Sequence, residues 1–301
     1  MQSKHERFLS SGGVKNLVSP VPNAESPYPP FGGASDYDIS SDGQWVAFKS
    51  KAPDVPPVNH TTSYIFLVPH DGSETACPIN GPASAPEGVE GGSSSPVFAP
   101  GGNRLAYFQM EDKTYESDRR VLYVYDIQSE EITALATQWD RSPDSLKWTD
   151  DKTIVVGAED EASGNLFLIP VDEATGDFVP EKLTDGKYAS SYHLGRNGTL
   201  VVTGSAGWSS WYVDIVSMNP KRGVLKTVVS ANEIDPELAG LGPEDIGEIW
   251  YEGNWTDVCL PRWVVLLTVD PRFDFLPRRL RREQDVSPVL PHPRRSPRSL
   301  V

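Results

Sequence analysis

The side chains able to do acid–base or nucleophilic chemistry are few and scattered along the chain. Five histidines, His5, His60, His70, His193 and His292, are the groups whose ordinary titration falls near neutral pH. A Ser-His-Asp centre is defined by geometry and not by chain order, so each of them qualifies as a base on paper. Their surroundings point elsewhere. His60 follows Asn59, His70 precedes Asp71, and His5 and His292 lie near the termini, all loop settings, while His193 falls in a strand pattern and is expected to fill a sheet face. A nucleophile elbow, Gly-x-Ser-x-Gly, uses its glycines to hold a serine exposed on a strand-to-helix turn. Gly91-Gly92-Ser93-Ser94-Ser95 lacks the closing glycine and Gly204-Ser205-Ala206-Gly207 has the wrong spacing, so no catalytic residue is assigned.

The acidic clusters read the same way. Glu130-Glu131 follows a strand and Ser129 and is expected to form a solvated hairpin turn. Glu159-Asp160-Glu161 and Asp150-Asp151 fit charged loops, with no alternation of oxygen ligands, so neither a metal nor a cofactor is expected. Cys77 and Cys259 make no disulfide framework and no zinc-site spacing. The triplets Asn59-His60-Thr61, Asn197-Gly198-Thr199 and Asn254-Trp255-Thr256 make Asn59, Asn197 and Asn254 candidate glycosylation sites, pointing mildly toward export.

Charge narrows the partners. The 301 residues carry a net charge of −15, unevenly spread. Residues 1–258 hold 18 Lys and Arg against 38 Asp and Glu, whereas 259–301 hold 9 against 4. So acidic a body argues against nucleic acid or an anionic membrane surface as partner. Met1 to Ser11 is polar, without the apolar core of a signal peptide, and no run reaches transmembrane length.

The elements that would carry any site come as one repeated unit. Tyr37-Asp38-Ile39-Ser40-Ser41-Asp42-Gly43-Gln44-Trp45-Val46-Ala47-Phe48 reads as strand, turn and strand, and an Asp-Gly pair between alternating strands suits a type I′ turn. Related cassettes recur at Pro96–Phe108, Ser145–Val156 and Tyr192–Val202, the units starting 45 to 60 residues apart. Each is followed by a second aromatic-rich strand and a short polar one. A period near 50 built on such hairpins is the signature of propeller blades, because a sheet of short strands must stack on its neighbours to bury both faces. A β-sandwich is the rival, but it has no reason to repeat one cassette. The fold class expected is all-β: a partial β-propeller of about four blades of antiparallel strands, with an irregular N-terminal linker and a disordered basic C-terminal tail.

The boundaries follow composition. Residues 1–35 are irregular and rich in Pro and Gly, a connector expected to lie over a β surface. Residues 36–230 hold the blades and 231–258 form an exit segment with a helical turn and a strand. Beyond Val258 the chain switches to no Lys, nine Arg and seven Pro. The basic run Arg278-Arg279-Leu280-Arg281-Arg282 resembles an interaction tail, but so abrupt a change in Lys/Arg usage is read as frameshift- or intron-derived translation.

Phrases within this frame resemble a known family. Ser26-Pro27-Tyr28-Pro29-Pro30-Phe31-Gly32-Gly33, Trp45 to Pro56, Leu67-Val68-Pro69-His70-Asp71-Gly72, Ile234-Asp235-Pro236-Glu237-Leu238 and Tyr251-Glu252-Gly253-Asn254-Trp255-Thr256 look like secreted fungal dipeptidyl-peptidase V, over about residues 12–258. That family belongs to the prolyl-oligopeptidase group of serine peptidases. The resemblance implies an N-terminal propeller followed by an α/β-hydrolase domain bearing a Ser-Asp-His triad, release of dipeptides from peptide N-termini, and secretion. The chain departs from this plan where the hydrolase would begin, so it is expected to be the propeller portion, inactive alone, with peptides reaching it through the missing domain. The alternative is a free-standing, TolB-like binding propeller.

Overall fold

Short strands of β-branched and aromatic residues separated by turn residues fold into four antiparallel sheets. The computed structural model describes residues 15–30, 32–56, 58–84, 89–243, 246–251 and 263–268. The first sheet joins β1 (Tyr37–Ile39), β2 (Trp45–Lys51), β3 (Ser63–Pro69) and β4 (Cys77–Pro78). The second joins β5 (Ser93–Phe98), β6 (Arg104–Gln109), β7 (Val121–Asp126) and β8 (Ile132–Leu135). The third holds β9 (Pro143–Asp150), β10 (Thr153–Asp160), β11 (Ser163–Pro170) and β12 (Glu181–Lys182), and the fourth β13 (Tyr188–Leu194), β14 (Thr199–Ala206), β15 (Ser209–Ser217) and β16 (Val224–Ser230). All four are simple meanders with every neighbour antiparallel.

The core lies between these sheets. Ala47 and Ile65 of the first pack with Leu105, Tyr107 and Tyr123 of the second. The opposite side of the second, through Ala106, Phe108, Leu122 and Val124, packs on Trp148, Ile154 and Phe167 of the third. Val155 and Leu166 of the third meet Tyr192, Leu200 and Val202 of the fourth. Alternation along each strand therefore serves two interfaces at once, as β-strands sandwiched between neighbours require. Four-stranded meanders stacked face to face in chain order are β-propeller blades, and we refer to them as blades 1 to 4. Polar stitches tie neighbouring blades together: Phe98 N–H donates to Asp38 (2.8 Å), Trp148 Nε1 to the Val97 carbonyl (2.9 Å) and the Tyr192 hydroxyl to the Val155 carbonyl (3.0 Å).

The outer face of blade 1, with Phe48, Tyr64, Phe66 and Val68, is covered by Leu17, Val18, Val21 and Ala24, so this part of the N-terminal segment is packed and not free. A four-residue helix, α1 (Ala231–Ile234), follows β16, with Ser230 and Glu233 forming a capping box. A separate unit beyond Leu241 holds the antiparallel hairpin of β17 (Ile246–Tyr251) and β18 (Trp263–Thr268), the latter falling in residues 263–269, the one stretch of the tail that the sequence sets apart from the expected disorder. Arg278–Arg282 lies outside the described residues.

The repeated hairpins do not all use the turn expected of them. At Ser40–Gly43 positive φ is confined to Gly43 (70°), and the Gly43 N–H donates to the Ser40 carbonyl at 2.8 Å. The second copy has the same construction, with Gly102 (φ 75°) bonded to the Ala99 carbonyl at 2.9 Å. These are four-residue loops with a left-handed glycine in third place, closed by the Ser40 N–H on the Trp45 carbonyl and the Ala99 N–H on the Arg104 carbonyl. Asp42 keeps negative φ because its carboxylate takes the Ser40 hydroxyl (2.6 Å) and the Gln44 N–H (3.0 Å) instead. Of these four hairpins Asn197-Gly198 (φ 55° and 70°) alone has the paired positive φ of a type I′ turn, a pairing that Glu161-Ala162 (φ 52° and 59°) repeats between β10 and β11.

Candidate functional site

Because each blade is a meander, its connections fall at alternating ends. The four short hairpins, β1–β2, β5–β6, β9–β10 and β13–β14, share one end, and the first three touch there: the Ser41 hydroxyl donates to the Pro100 carbonyl at 2.5 Å, and the Gly101 N–H donates to Asp151. The opposite end carries the β6–β7 connection, the β10–β11 turn and the links from one blade to the next. There, across blades 2 to 4, lies a charged groove.

Its larger part, a cavity of about 520 Å³, is lined by Arg119, Arg120, Arg141, Ser142, Asp144 and Glu159 among others. A second cavity of about 220 Å³ continues toward blade 4, sharing Asp144 and Glu159 and adding Ser145, Tyr188, Ser190 and Tyr192. The larger of the two lies within the range of sites for small organic ligands. Arg119 and Arg120 sit just before β7, and Asp144 and Glu159 project from β9 and β10, so the groove is basic on its blade 2 wall and acidic on its blade 3 wall.

Geometry fixes several of these groups. Arg119 Nη1 donates to the Trp139 carbonyl (3.0 Å), and Trp139 is itself held edge-on against Phe167 at 4.8 Å. The Arg120 N–H donates to the Ser142 hydroxyl at 3.1 Å. Arg141 and Lys182 converge on Asp160, with Nε–Oδ1, Nη2–Oδ1 and Nζ–Oδ2 distances of 2.7, 2.6 and 2.6 Å. Burial pushes the Asp160 carboxyl up, but the hydrogen bonds and charges of Lys182 and Arg141 outweigh it and leave it below the usual carboxylate range. Burial likewise works against the Lys182 ammonium, yet Asp160 prevails and holds it high. The Tyr188 hydroxyl donates to Glu159 (3.4 Å), and burial, then Glu159 and Asp144, push that phenol up.

The residues singled out from sequence are not brought together. Asn59 is exposed between β2 and β3 and Asn197 is exposed in its hairpin; Asn254, like His5 and His292, lies outside the described residues. His70 is exposed, 3.3 Å from the Gln44 carbonyl at the hairpin end, and His193 is exposed on β13. His60 is half-buried, and its Nδ1 has no partner among the described residues. Glu130 and Glu131 are exposed in the β7–β8 turn, at the end away from the groove. Asp160 departs from the solvated-loop expectation, because its side chain is 12% exposed and doubly ion-paired. Among the described residues no group of three His, Cys, Asp or Glu is arranged to hold a metal ion. Cys77 is a free, exposed thiol. Sequence reasoning passed over Arg119 and Arg120; the signal was adjacent arginines in a stretch, 1–258, with only seven.

Comparison with known proteins supplies what the groove alone does not. No known family profile matches the chain. A probable dipeptidyl-peptidase 5 of Emericella nidulans is 70% identical over 264 residues, 88% of this chain and 36% of that protein. The chain is homologous to part of dipeptidyl-peptidase 5. The dipeptidyl-peptidase 5 of Aspergillus fumigatus is 60% identical over 262 residues, again 36% of its length, so this chain spans about a third of these relatives. Among solved structures, an acylaminoacyl peptidase in complex with Z-Gly-Gly-Phe-chloromethyl ketone matches with a TM-score of 0.50 and 15% identity, over 72% of this chain and 30% of that one. That likeness speaks for the fold. The part of dipeptidyl-peptidase 5 that this chain matches is thus its propeller part.

Proposed function

We propose that the chain serves as the propeller portion of a serine peptidase that releases dipeptides from peptide N-termini, with the blades walling and filtering access to a catalytic centre supplied elsewhere. One observation carries this reading: identity of 70% to a probable dipeptidyl-peptidase 5 along 88% of the chain. The residues agree with the division of labour. Residues 1–301 hold no Gly-x-Ser-x-Gly, and the described histidines lie apart from the groove's cavities. The acyl-enzyme step of such a peptidase needs a serine activated by an adjacent base, which places the nucleophile in the portion of the relatives that this chain does not span. The groove is the surface to offer a passing peptide, since it holds both signs of charge where the blade repeat makes no demand.

The test is a dipeptidyl chromogenic substrate offered to the purified 301-residue chain and, in parallel, to the full-length Emericella nidulans relative. Turnover blocked by a serine-directed phosphonate is expected from the relative alone. Phosphonate-sensitive turnover by the 301-residue chain would place a nucleophile within it, and a relative that released no dipeptides would remove the reading altogether.

A further inference from the structure

Arg119 and Arg120 are anomalous in their setting. Carboxylates outnumber Lys and Arg by about two to one over residues 1–258, yet neither guanidinium has an ion-pair partner within 4 Å among the described residues, while the neighbouring Asp118 and the cavity-lining Asp140 are engaged elsewhere. Asp118 accepts the N–H groups of Glu111, Asp112 and Arg119 (2.9, 2.8 and 2.8 Å), and Asp140 pairs with Arg141 at 3.6 Å. Arg141 in turn is committed to Asp160. The positive field extends onto blade 1: burial pushes the Lys49 ammonium down, and although Asp36 opposes this, Arg120 adds to it. Lys49 and Lys51 both lie over the Tyr28 ring, at 4.5 and 5.3 Å. Two guanidinium groups, one of them anchored through the Trp139 carbonyl, therefore face a cavity of about 520 Å³ with their charge unmatched.

We propose that Arg119 and Arg120 form a recognition site for a single carboxylate of a bound peptide. A guanidinium fork matches the planar geometry of a carboxylate, and such charge-assisted pairs are the strong ones. The far wall sets the limit on charge. Asp144 and Glu159 line the same cavity and form no ion pair within 4 Å among the described residues, so a dianion or polyanion entering it meets repulsion that a lone carboxylate anchored on the blade 2 side does not. Selection of a monoanion over phosphate follows. The carboxylate comes either from an acidic side chain or from a peptide C-terminus, two sources of one chemistry. This inference rests on the reading of the chain as a peptide-handling propeller, and it adds which peptides are favoured.

Isothermal titration of the 301-residue chain tests it with four probes: N-acetyl-Ala-Glu-Ala-amide, N-acetyl-Ala-Ala-Ala with a free C-terminus, the neutral N-acetyl-Ala-Gln-Ala-amide, and inorganic phosphate. At least one carboxylate peptide is expected to bind about tenfold or more tightly than the neutral one, and the probe that does so names the source. Arg120→Gln is expected to abolish that preference and Arg120→Lys to restore part of it. The Arg120 side chain makes no hydrogen bond among the described residues, so the melting temperature of both variants should stay at the wild-type value. Equal binding of acidic and neutral peptides, a preference that survives Arg120→Gln, tighter binding of phosphate, or no binding of either carboxylate peptide at millimolar concentration would each overturn the proposal. The dipeptide-release assay on the full-length relative reports separately on the underlying reading.

Discussion

The hairpin end and the groove end of the same four blades are held by different physics. At the hairpin end, loops of two to four residues close on backbone hydrogen bonds, three of them with a left-handed glycine, and indole and aliphatic groups pack directly beneath. At the groove end the β6–β7 connection alone runs from 110 to 120, and ion pairs, cation–π contacts and side-chain caps on backbone N–H groups position the chain. One end is repeated because each blade needs the same turn. The other varies from blade to blade because the repeat makes no demand on its connections, and loops of this kind are where binding residues gather while the scaffold beneath stays regular.

That contrast can be broken or sharpened by substitution. The largest effect is expected from Trp148→Ala, near the hairpin end, where the buried indole packs between blades 2 and 3 and its Nε1 donates to the Val97 carbonyl. Loss of about 3–5 kcal/mol in urea unfolding is expected, the same at neutral and acid pH once the wild type is matched at each. A pH-dependent difference would show that charge matters at this end too.

Asp160→Asn at the groove end should cost about 1–3 kcal/mol, since it removes the charge that Arg141 and Lys182 share, all three being partly solvated. The sign of its pH dependence is fixed. A carboxyl held below its unfolded value near 3.8 stabilises the fold above that pH and stops doing so as pH falls through the lowered folded value. Thermal melts should therefore separate wild type from Asp160→Asn at pH 7 and converge as pH falls well below 3.8. Lys182, held high, gives up its share only as pH rises above 10.5. A gap that persists undiminished in acid would mean that shape, not charge, holds Asp160.

The smallest effect is expected from Gly102→Ala. Its added Cβ meets Ser41 Oγ at 3.4 Å, an approach the side chain can yield to, so the cost is mainly the positive φ of 75°. About 1–2 kcal/mol is the scale for an L-residue forced into that region. A neutral outcome in thermal unfolding would show that the hairpin relaxes, and that glycine there is not a condition of the repeat.

These two ends also divide what sequence made legible. Ile39, Val46 and Phe48 around Asp42-Gly43, and Leu194 and Leu200 around Asn197-Gly198, announced strands and turns because alternation and turn chemistry are local properties. Four copies of that pattern determined the blades, and long shared phrases determined the kinship with dipeptidyl-peptidase 5. Even so, the turn at Asp42-Gly43 took a four-residue form instead of type I′, because Ser40 and Gln44 satisfy the Asp42 carboxylate locally.

Tertiary structure alone decided the rest. Asp160 looked like one charge in an exposed acidic run until the meander of blade 3 and the link entering it brought Lys182 and Arg141, 22 and 19 positions away, onto it. Residues 17–24 carried no periodicity, yet the unpaired face of blade 1 gave Leu17, Val18 and Val21 something to cover. Arg119 and Arg120 became a candidate site only when folding engaged Asp118, Asp140 and Asp160 elsewhere and left both guanidinium groups facing a cavity. Repetition is written in the sequence because every blade must satisfy the same backbone. The site is written in distances between blades, which no local pattern records.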